Sequence, residues 1–430
     1  MQNCGHGAAD NQLCTHIANK TAKAHYKLYT GEKNRALYLC QACLDSTPQP
    51  GELLSQCWYC FTKDQSEIEF AIKGECEHSP QYNFSFVQRK LQLSQPGSLT
   101  ILSANFLATE TPQLIAMDSE GVLWRIYTAT GLSERITRVD ELVINSESSV
   151  QLKFSDCSLY VAISVLNREP AYNAGLVLAL ADGRRIMSLP DYNYHSTQTP
   201  YPVCFYRFQE KTCLVYASSW SQLDIVDLAS GECLSARTED DQPQIDPEDR
   251  VFSEWSGELK ISPDGRRLAT IGWCWHPMGV AYGFSIEDWV THNKWEPDSG
   301  KSKVIYAGWE YFWDSPFCWL DNQRLLIWGN PYLQTHGDIP ENSAVIYDAI
   351  SAEEILSFLG PTLDIFFAHG DFLFSGSPAQ DGLSIWHLQT GEFLDEHPCK
   401  SRILSYHPNS QTFLTRDQQG NLGLLQWSTQ

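Results

Sequence analysis

From about residue 88 onward, apolar residues come in short runs of β-forming types, each cut off by turn residues. No stretch keeps the 3.6-residue spacing of an amphipathic helix. One unit recurs: a strand, a tight turn and a second strand. It appears in KFSDCSLYVAIS (153–164), YRFQEKTCLVYAS (206–218), KISPDGRRLATIG (260–272), CWLDNQRLLIWG (318–329), FFAHGDFLFSG (366–376) and SYHPNSQTFLTRD (405–417). A second strand–turn–strand element follows at a distance, as in WRIYTATG (124–131), DIVDLASGECL (224–234), VIYDAISAEEIL (345–356) and SIWHLQTGEFL (384–394). Its Ser-Gly and Thr-Gly turns suit backbone that must turn through positive φ.

Two hairpins make a four-stranded antiparallel blade, and a repeat of roughly 40–50 residues is the period of a β-propeller. The pattern predicts seven blades, beginning near residues 97, 148, 200, 255, 313, 361 and 401. The last offers three strands, ILSYHP, TFLTRD and LGLLQW. Its outer strand is expected from VQRKLQLS (87–94), ahead of blade one, because closing the ring removes an open sheet edge. The units resemble the WD-repeat family. IVDLASGE and IWHLQTGE match that family's strand–turn–strand, and SPDGRRLAT and HPNSQTFLT match its inner-strand turn. IYD and VDL approximate the Trp-Asp pair, and the Gly-His signature is absent. The resemblance implies a rigid propeller whose loop face binds peptides or other domains.

The first 76 residues have a different texture and hold seven of the 14 Cys. Two Cys-x-x-Cys pairs, Cys40/Cys43 and Cys57/Cys60, follow two Cys-x-His pairs, Cys4/His6 and Cys14/His16. Zn²⁺ takes four N/S ligands in a tetrahedron, and a closely spaced pair on a turn supplies two of them. Four pairs make two Cys₃His sites. With every position filled by protein, the two zinc ions are expected to be structural. A disulfide framework would not need the paired His and would need an oxidising compartment. An interleaved pairing joins Cys4/His6 with Cys40/Cys43 and Cys14/His16 with Cys57/Cys60; the spacing equally allows the swapped partition or a single shared site. Cys76/His78 reads as linker, and His25 as a surface residue on a short helix around 17–28. A segment this poor in apolar periodicity needs metal binding to hold a fold.

The expected architecture is therefore mainly β. A small zinc-stabilised domain (1–78) precedes a seven-bladed β-propeller (87–430) closed by a strand before blade one. The zinc spacing resembles cross-braced modules such as the RING finger. It departs from them in its Cys-x-His pairs and in the long gap between the second and third pairs.

Charge narrows the partners. Net charge is −22, with +3 on residues 1–43, −5 on 44–80 and the remaining −20 on 81–430. Such a surface repels nucleic acid and anionic lipid. The start, MQNCGHGAAD, lacks a basic segment followed by an apolar run. The longest apolar runs, such as LVLALA (176–181), are too short to span a bilayer. A cytoplasmic protein with a protein or peptide partner, and with no membrane contact, is expected. The scattered Cys beyond residue 76 read as small buried hydrophobes.

Aromatic residues concentrate in 255–328, which holds nine of the 14 Trp. The segment GWCWHPMGVAYGF reads as an insertion that lengthens its blade. Packing between blades accounts for most such residues; where a patch reaches the surface, Trp273, Trp275 and His276 are the candidate partner-binding residues. No Gly-rich phosphate loop, Gly-x-Ser-x-Gly elbow or His-Glu-x-x-His is present. The acidic run TEDDQPQIDPED (238–249) lacks EF-hand spacing and reads as a solvated loop. His369, His387 and His407 are expected at strand or turn ends, where such residues are structural or line a channel mouth. The leading reading is a non-enzymatic interaction scaffold. Its rivals are a ubiquitin-ligase-type adaptor, which the RING resemblance implies, and an enzyme using the propeller's central channel.

Overall fold

Strands that are apolar along their whole length must be covered on both faces, and strands that alternate need cover on one. Both kinds are present in fixed order. In 149–189 the two middle strands, Tyr160–Asn167 and Tyr172–Ala179, are buried along nearly their whole length. The outer strand of 365–398, Phe393–Pro398, alternates between exposed and half-buried positions. The computed structural model describes residues 11–14, 26–30, 35–39, 53–56, 82–94, 100–191, 196–219, 221–237, 255–275, 278–329, 342–361, 365–377 and 382–430. The chain divides into two units, Met1–Gln81 and Tyr82–Gln430.

The second unit is a ring of seven antiparallel sheets. Blades 1 to 6 span residues 101–138, 149–189, 203–227, 259–310, 317–359 and 365–398. Blade 7 is made of 402–429 and is completed by Phe84–Lys90, which pairs with the last strand, Leu422–Thr429. The closing strand starts three residues ahead of the expected 87–94. Its register explains the shift: Phe84 and Phe86 are half-buried while Val87 is 66% exposed, and the Phe84 ring packs edge-on to Phe372 at 5.2 Å. The core lies in the wedges between blades. Leu114, Ala116 and Trp124 of blade 1 pack on Leu414, Leu422 and Leu424 of blade 7, which carries burial round the full circle.

The turn after each third strand repeats. In blades 1, 2, 3, 5 and 6 the N–H of Gly131, Gly183, Gly231, Ala352 and Gly391 returns to the carbonyl four residues earlier, at 2.7–2.9 Å. All five residues have positive φ, so glycine is favoured and Ala352 is held at a steric cost. The aspartates of VDL and IYD fasten this turn. Asp227 accepts from the Ala229 N–H and the Ser230 hydroxyl, and Asp348 from the N–H groups of Ile350 and Ser351.

Three departures from the sequence reading share one location. Among the described residues blade 3 has three strands, and the expected second half of DIVDLASGECL makes a single bridge, Val226 to Cys233. Two short helices, α1 (Ile286–Thr291) and α2 (Glu296–Ser299), lie between the third and fourth strands of blade 4, where no helix was expected. The segment GWCWHPMGVAYGF is a hairpin of two long strands, Arg267–Trp275 and Met278–Ser285, so the insertion is the helical segment after it.

The helices pack against blade 3. Ile286, Trp289 and Val290 are buried in one cluster with Leu223 and Ile225 of its edge strand. The edge backbone is satisfied by side chains: the Ser235 hydroxyl accepts the Ile225 N–H at 2.9 Å, and Arg237 donates to the Leu223 carbonyl at 2.8 Å. Arg237 also meets Asp298 at 2.5 Å and lies over the Trp295 ring, while Lys294 donates to the Leu234 carbonyl at 2.7 Å.

In the first unit, four strands form one sheet in the order Tyr26–Thr30, Arg35–Leu39, Asn11–Cys14, Leu53–Gln56. Asn11–Cys14 runs parallel to Arg35–Leu39 and antiparallel to Leu53–Gln56. Of the expected helix around 17–28, residues 26–28 belong to a strand, where Tyr and Thr favour a pleated surface, and 17–25 lie outside the described residues.

Candidate functional site

First strands line the propeller axis, so a charged residue there faces the channel or pairs across it. A cavity of about 580 Å³ opens among the first strands of blades 1, 2, 4, 6 and 7. On one wall, Lys153 of blade 2 and Lys260 of blade 4 share the Glu258 carboxylate; Lys153 meets Oε1, and Lys260 lies 3.3 Å from Oε2. Burial pushes Glu258 up, and the two ammonium groups outweigh it and hold the carboxyl down to about 2. Lys260 is further fixed by the Phe317 carbonyl at 2.6 Å and the Phe317 ring. Across the cavity, Arg402 stands directly opposite Arg416 on neighbouring strands of blade 7. Arg416 donates to the carbonyls of Ile101 and Leu102 at 2.7 and 3.1 Å, which ties blade 7 to blade 1. Burial, and then the charge of Arg402, lower the Arg416 pKa.

These residues were not singled out from the sequence, though a signal was there. Gln151-Leu-Lys153 and Glu258-Leu-Lys260 occupy the same place in the recurring hairpin, and a charged or amide residue repeated on an inner strand points to the axis.

Blade 4 carries a surface patch on the face reached by its second hairpin. Met278 is 38% exposed at the hairpin tip, and Tyr311, after the fourth strand, is 61% exposed with its ring 5.6 Å from Trp313. Trp273, one of the three candidates named from sequence, is 4% exposed and packs between Trp255 at 4.4 Å and Trp313 at 6.5 Å. Trp275 ends its strand opposite Met278, next to the patch. His276 lies outside the described residues. Sequence reasoning missed Met278 and Tyr311, since exposure is set by the fold and not by residue type.

His369, His387 and His407 occupy strand ends, and none lines the cavity. His407 is 2% exposed; its Nδ1 accepts the Ser410 N–H, which leaves Nε2 to donate to the Thr109 carbonyl of blade 1 at 2.9 Å. His369 packs edge-on to Trp427 at 5.4 Å, and burial lowers its pKa. His387 meets Thr390 in its turn. Of the later cysteines, Cys204 and Cys213 are buried as expected, whereas Cys157 and Cys233 are exposed.

Of the eight expected zinc ligands, Cys14 is the last residue of a described strand. Cys4, His6, His16, Cys40, Cys43, Cys57 and Cys60 lie outside the described residues, as do Cys76 and His78. Among the described residues, no three His, Cys, Asp or Glu side chains gather as a metal site, and no helix is long and apolar enough to cross a membrane.

No protein-family model matches the chain, and no curated protein does. Solved structures do. The chain is similar to the RRP9 WD40 repeats, with TM-score 0.51 and 9% identity over 79% of this chain and 97% of that one. It is similar to U3-55K, with TM-score 0.50 and 10% identity over 79% and 98%. It is also similar to a chain of a mitotic checkpoint complex, with TM-score 0.50 and 12% identity over 79% and 90%. At such identity the likeness is one of fold, and with the ring of seven sheets it makes residues 82–430 a WD40-like seven-bladed β-propeller.

Proposed function

We propose that the chain is a non-enzymatic interaction scaffold that docks a protein or peptide on the blade 4 face of its propeller. The observation that carries this reading is the apolar patch of exposed Met278 and Tyr311 beside half-buried Trp313. Large apolar side chains held in the open on a rigid scaffold are the usual anchors of a binding surface. Trp275 and His276 complete the candidate surface from the sequence side. The test compares wild type with Tyr311→Ser and Met278→Ser in affinity capture from the native host. A partner held by wild type at fixed stoichiometry and lost in both variants, with unchanged thermal unfolding, supports the reading. A partner held equally by all three overturns it.

The proposal includes two structural zinc ions in the first unit. The donor set, six thiols and two imidazoles, suits closed tetrahedral zinc sites. The strand register supports a particular pairing. Asn11–Cys14 and Arg35–Leu39 are parallel, and Cys40 is the next residue after Leu39; Leu53–Gln56 runs the other way, with Gln56 opposite Asn11 and Cys57 next. This favours Cys14/His16 with Cys40/Cys43, and Cys4/His6 with Cys57/Cys60, the swapped partition. Elemental analysis of the full chain is expected to give about two zinc ions, falling by about one in a Cys40→Ser/Cys43→Ser variant. A metal-free wild type overturns the proposal.

A further inference from the structure

Two like charges set directly opposite each other on antiparallel strands destabilise a sheet. Arg402 and Arg416 are such a pair, and both line the 580 Å³ cavity. Among the described residues, neither guanidinium makes an ion pair with a carboxylate. Arg416 spends hydrogen bonds on two backbone carbonyls, which fix its position without cancelling its charge. Arg402 is exposed and makes no side-chain hydrogen bond to a described residue. On the facing wall, one carboxylate, Glu258, serves two ammonium groups, so that cluster also keeps a net positive charge. With Glu147 as the other carboxylate of the lining, the axis of a chain with net charge −22 still holds more cations than anions.

A second observation points the same way. The Gln151 side-chain oxygen, in the wall between these groups, is buried and has no hydrogen-bond partner. A buried acceptor left unmade costs stability, and a turn of the Gln151 amide toward the cavity would let a hydroxyl donor satisfy it.

We propose that the propeller's central cavity binds a small hydroxyl-bearing phosphate ester, its phosphate held by Arg402 and Arg416 and its hydroxyls by Gln151 and the Lys153 wall. Guanidinium groups present planar forks of donors that match phosphate oxygens, and phosphate has enough oxygens to serve two of them. The volume is that of a small-molecule site. Low-dielectric walls concentrate the positive field inside the channel.

The test is titration calorimetry of the full chain with ribose 5-phosphate, ribose and citrate at low salt. Saturable binding of ribose 5-phosphate at one site is expected, with ribose and citrate at least about tenfold weaker. Arg402→Ser should weaken binding by about tenfold or more, since a charge-assisted contact is lost. Arg402→Lys keeps the charge and loses the fork, and should fall between the two. Arg184→Ser, an exposed site in blade 2 outside the cavity, should bind as wild type does. Arg402 is exposed, so its variants are expected to fold, and unchanged thermal unfolding checks this. No binding by wild type, equal binding of citrate, or equal loss in Arg184→Ser would each overturn the proposal. The binding needs neither the blade 4 patch nor a protein partner, so it stands or falls separately from the docking reading.

Discussion

Blades 3 and 7 each supply three strands from one stretch of chain, and each is completed from elsewhere. Blade 7 takes a true fourth strand, Phe84–Lys90, joined by a backbone ladder from Gly423 to Thr429. Blade 3 takes side chains from the segment after its own third strand and two helices from its neighbour: Ser235 and Arg237 meet its edge backbone, and Trp289 covers its apolar face. The difference follows from what each position must do. An edge needs only its polar groups satisfied and its apolar face covered, and side chains can do both. Ring closure must also hold two distant parts of the chain together, and that takes a continuous ladder.

The largest effect should come from removing the ladder. A chain beginning at residue 92 lacks the closing strand and is expected to lose cooperative unfolding by circular dichroism, whereas one beginning at residue 82 keeps it. Equal behaviour of the two would mean that closure does not depend on Phe84–Lys90. Next comes the cover of blade 3. Arg237 is 6% exposed in its side chain and faces Asp298 and Asp224. Its replacement by Ala takes the guanidinium from the buried Asp224 and the half-exposed Asp298 and leaves the Leu223 carbonyl without its donor, at a cost of about 3 kcal/mol in urea unfolding. A loss below about 1 kcal/mol would show that the helices cover the edge without it.

His407→Ala probes the seam between blades 7 and 1 by removing the Thr109 contact and is expected to cost about 2 kcal/mol. If it exceeds Arg237→Ala, the seam is the weaker-redundancy site, and the ranking of the two blades reverses.

The smallest effect is one of pH. The His369 pKa is lowered from 6.5 by burial, so the fold favours the neutral ring. That contribution is complete above 6.5 and is lost as pH falls through the folded value. Acidifying from about pH 7.5 to about 5.5 should lower Tm less in His369→Gln than in wild type. An identical fall in both would assign the acid sensitivity to other groups.

The repeating parts of this fold were legible because each repeat states the same local rule. The inner hairpins and the turns ending at Gly131, Gly231 and Gly391 could be read as turn chemistry, and the borrowed strand followed from counting three strands where four were needed. Blade 3 departs from the pattern because its sequence, DIVDLASGECL, keeps the strand–turn–strand pattern up to Cys233 while the backbone then leaves the sheet. The helices that cover the blade lie some 50 residues on, beyond the reach of local pattern. The start of α1 did leave a trace: Ser285 caps the Asp288 N–H, and Ser-x-x-Asp is a helix-start signal. The channel charges were hidden for another reason. A lysine in a strand reads as a solvent-facing residue until the strand is known to line an axis.

The closing ladder also sets how the ring responds to force. Residues 83 and 430 exchange backbone hydrogen bonds, at 3.2 and 3.4 Å, so residue 82 and the C-terminal residue sit at the same end of the pair. A pull applied between them loads the ladder one rung at a time, as in peeling tape, and not all rungs together. Tension entering through residue 82 with residue 430 anchored should therefore open the propeller at low load, starting at blade 7, long before the other six blades bear any strain.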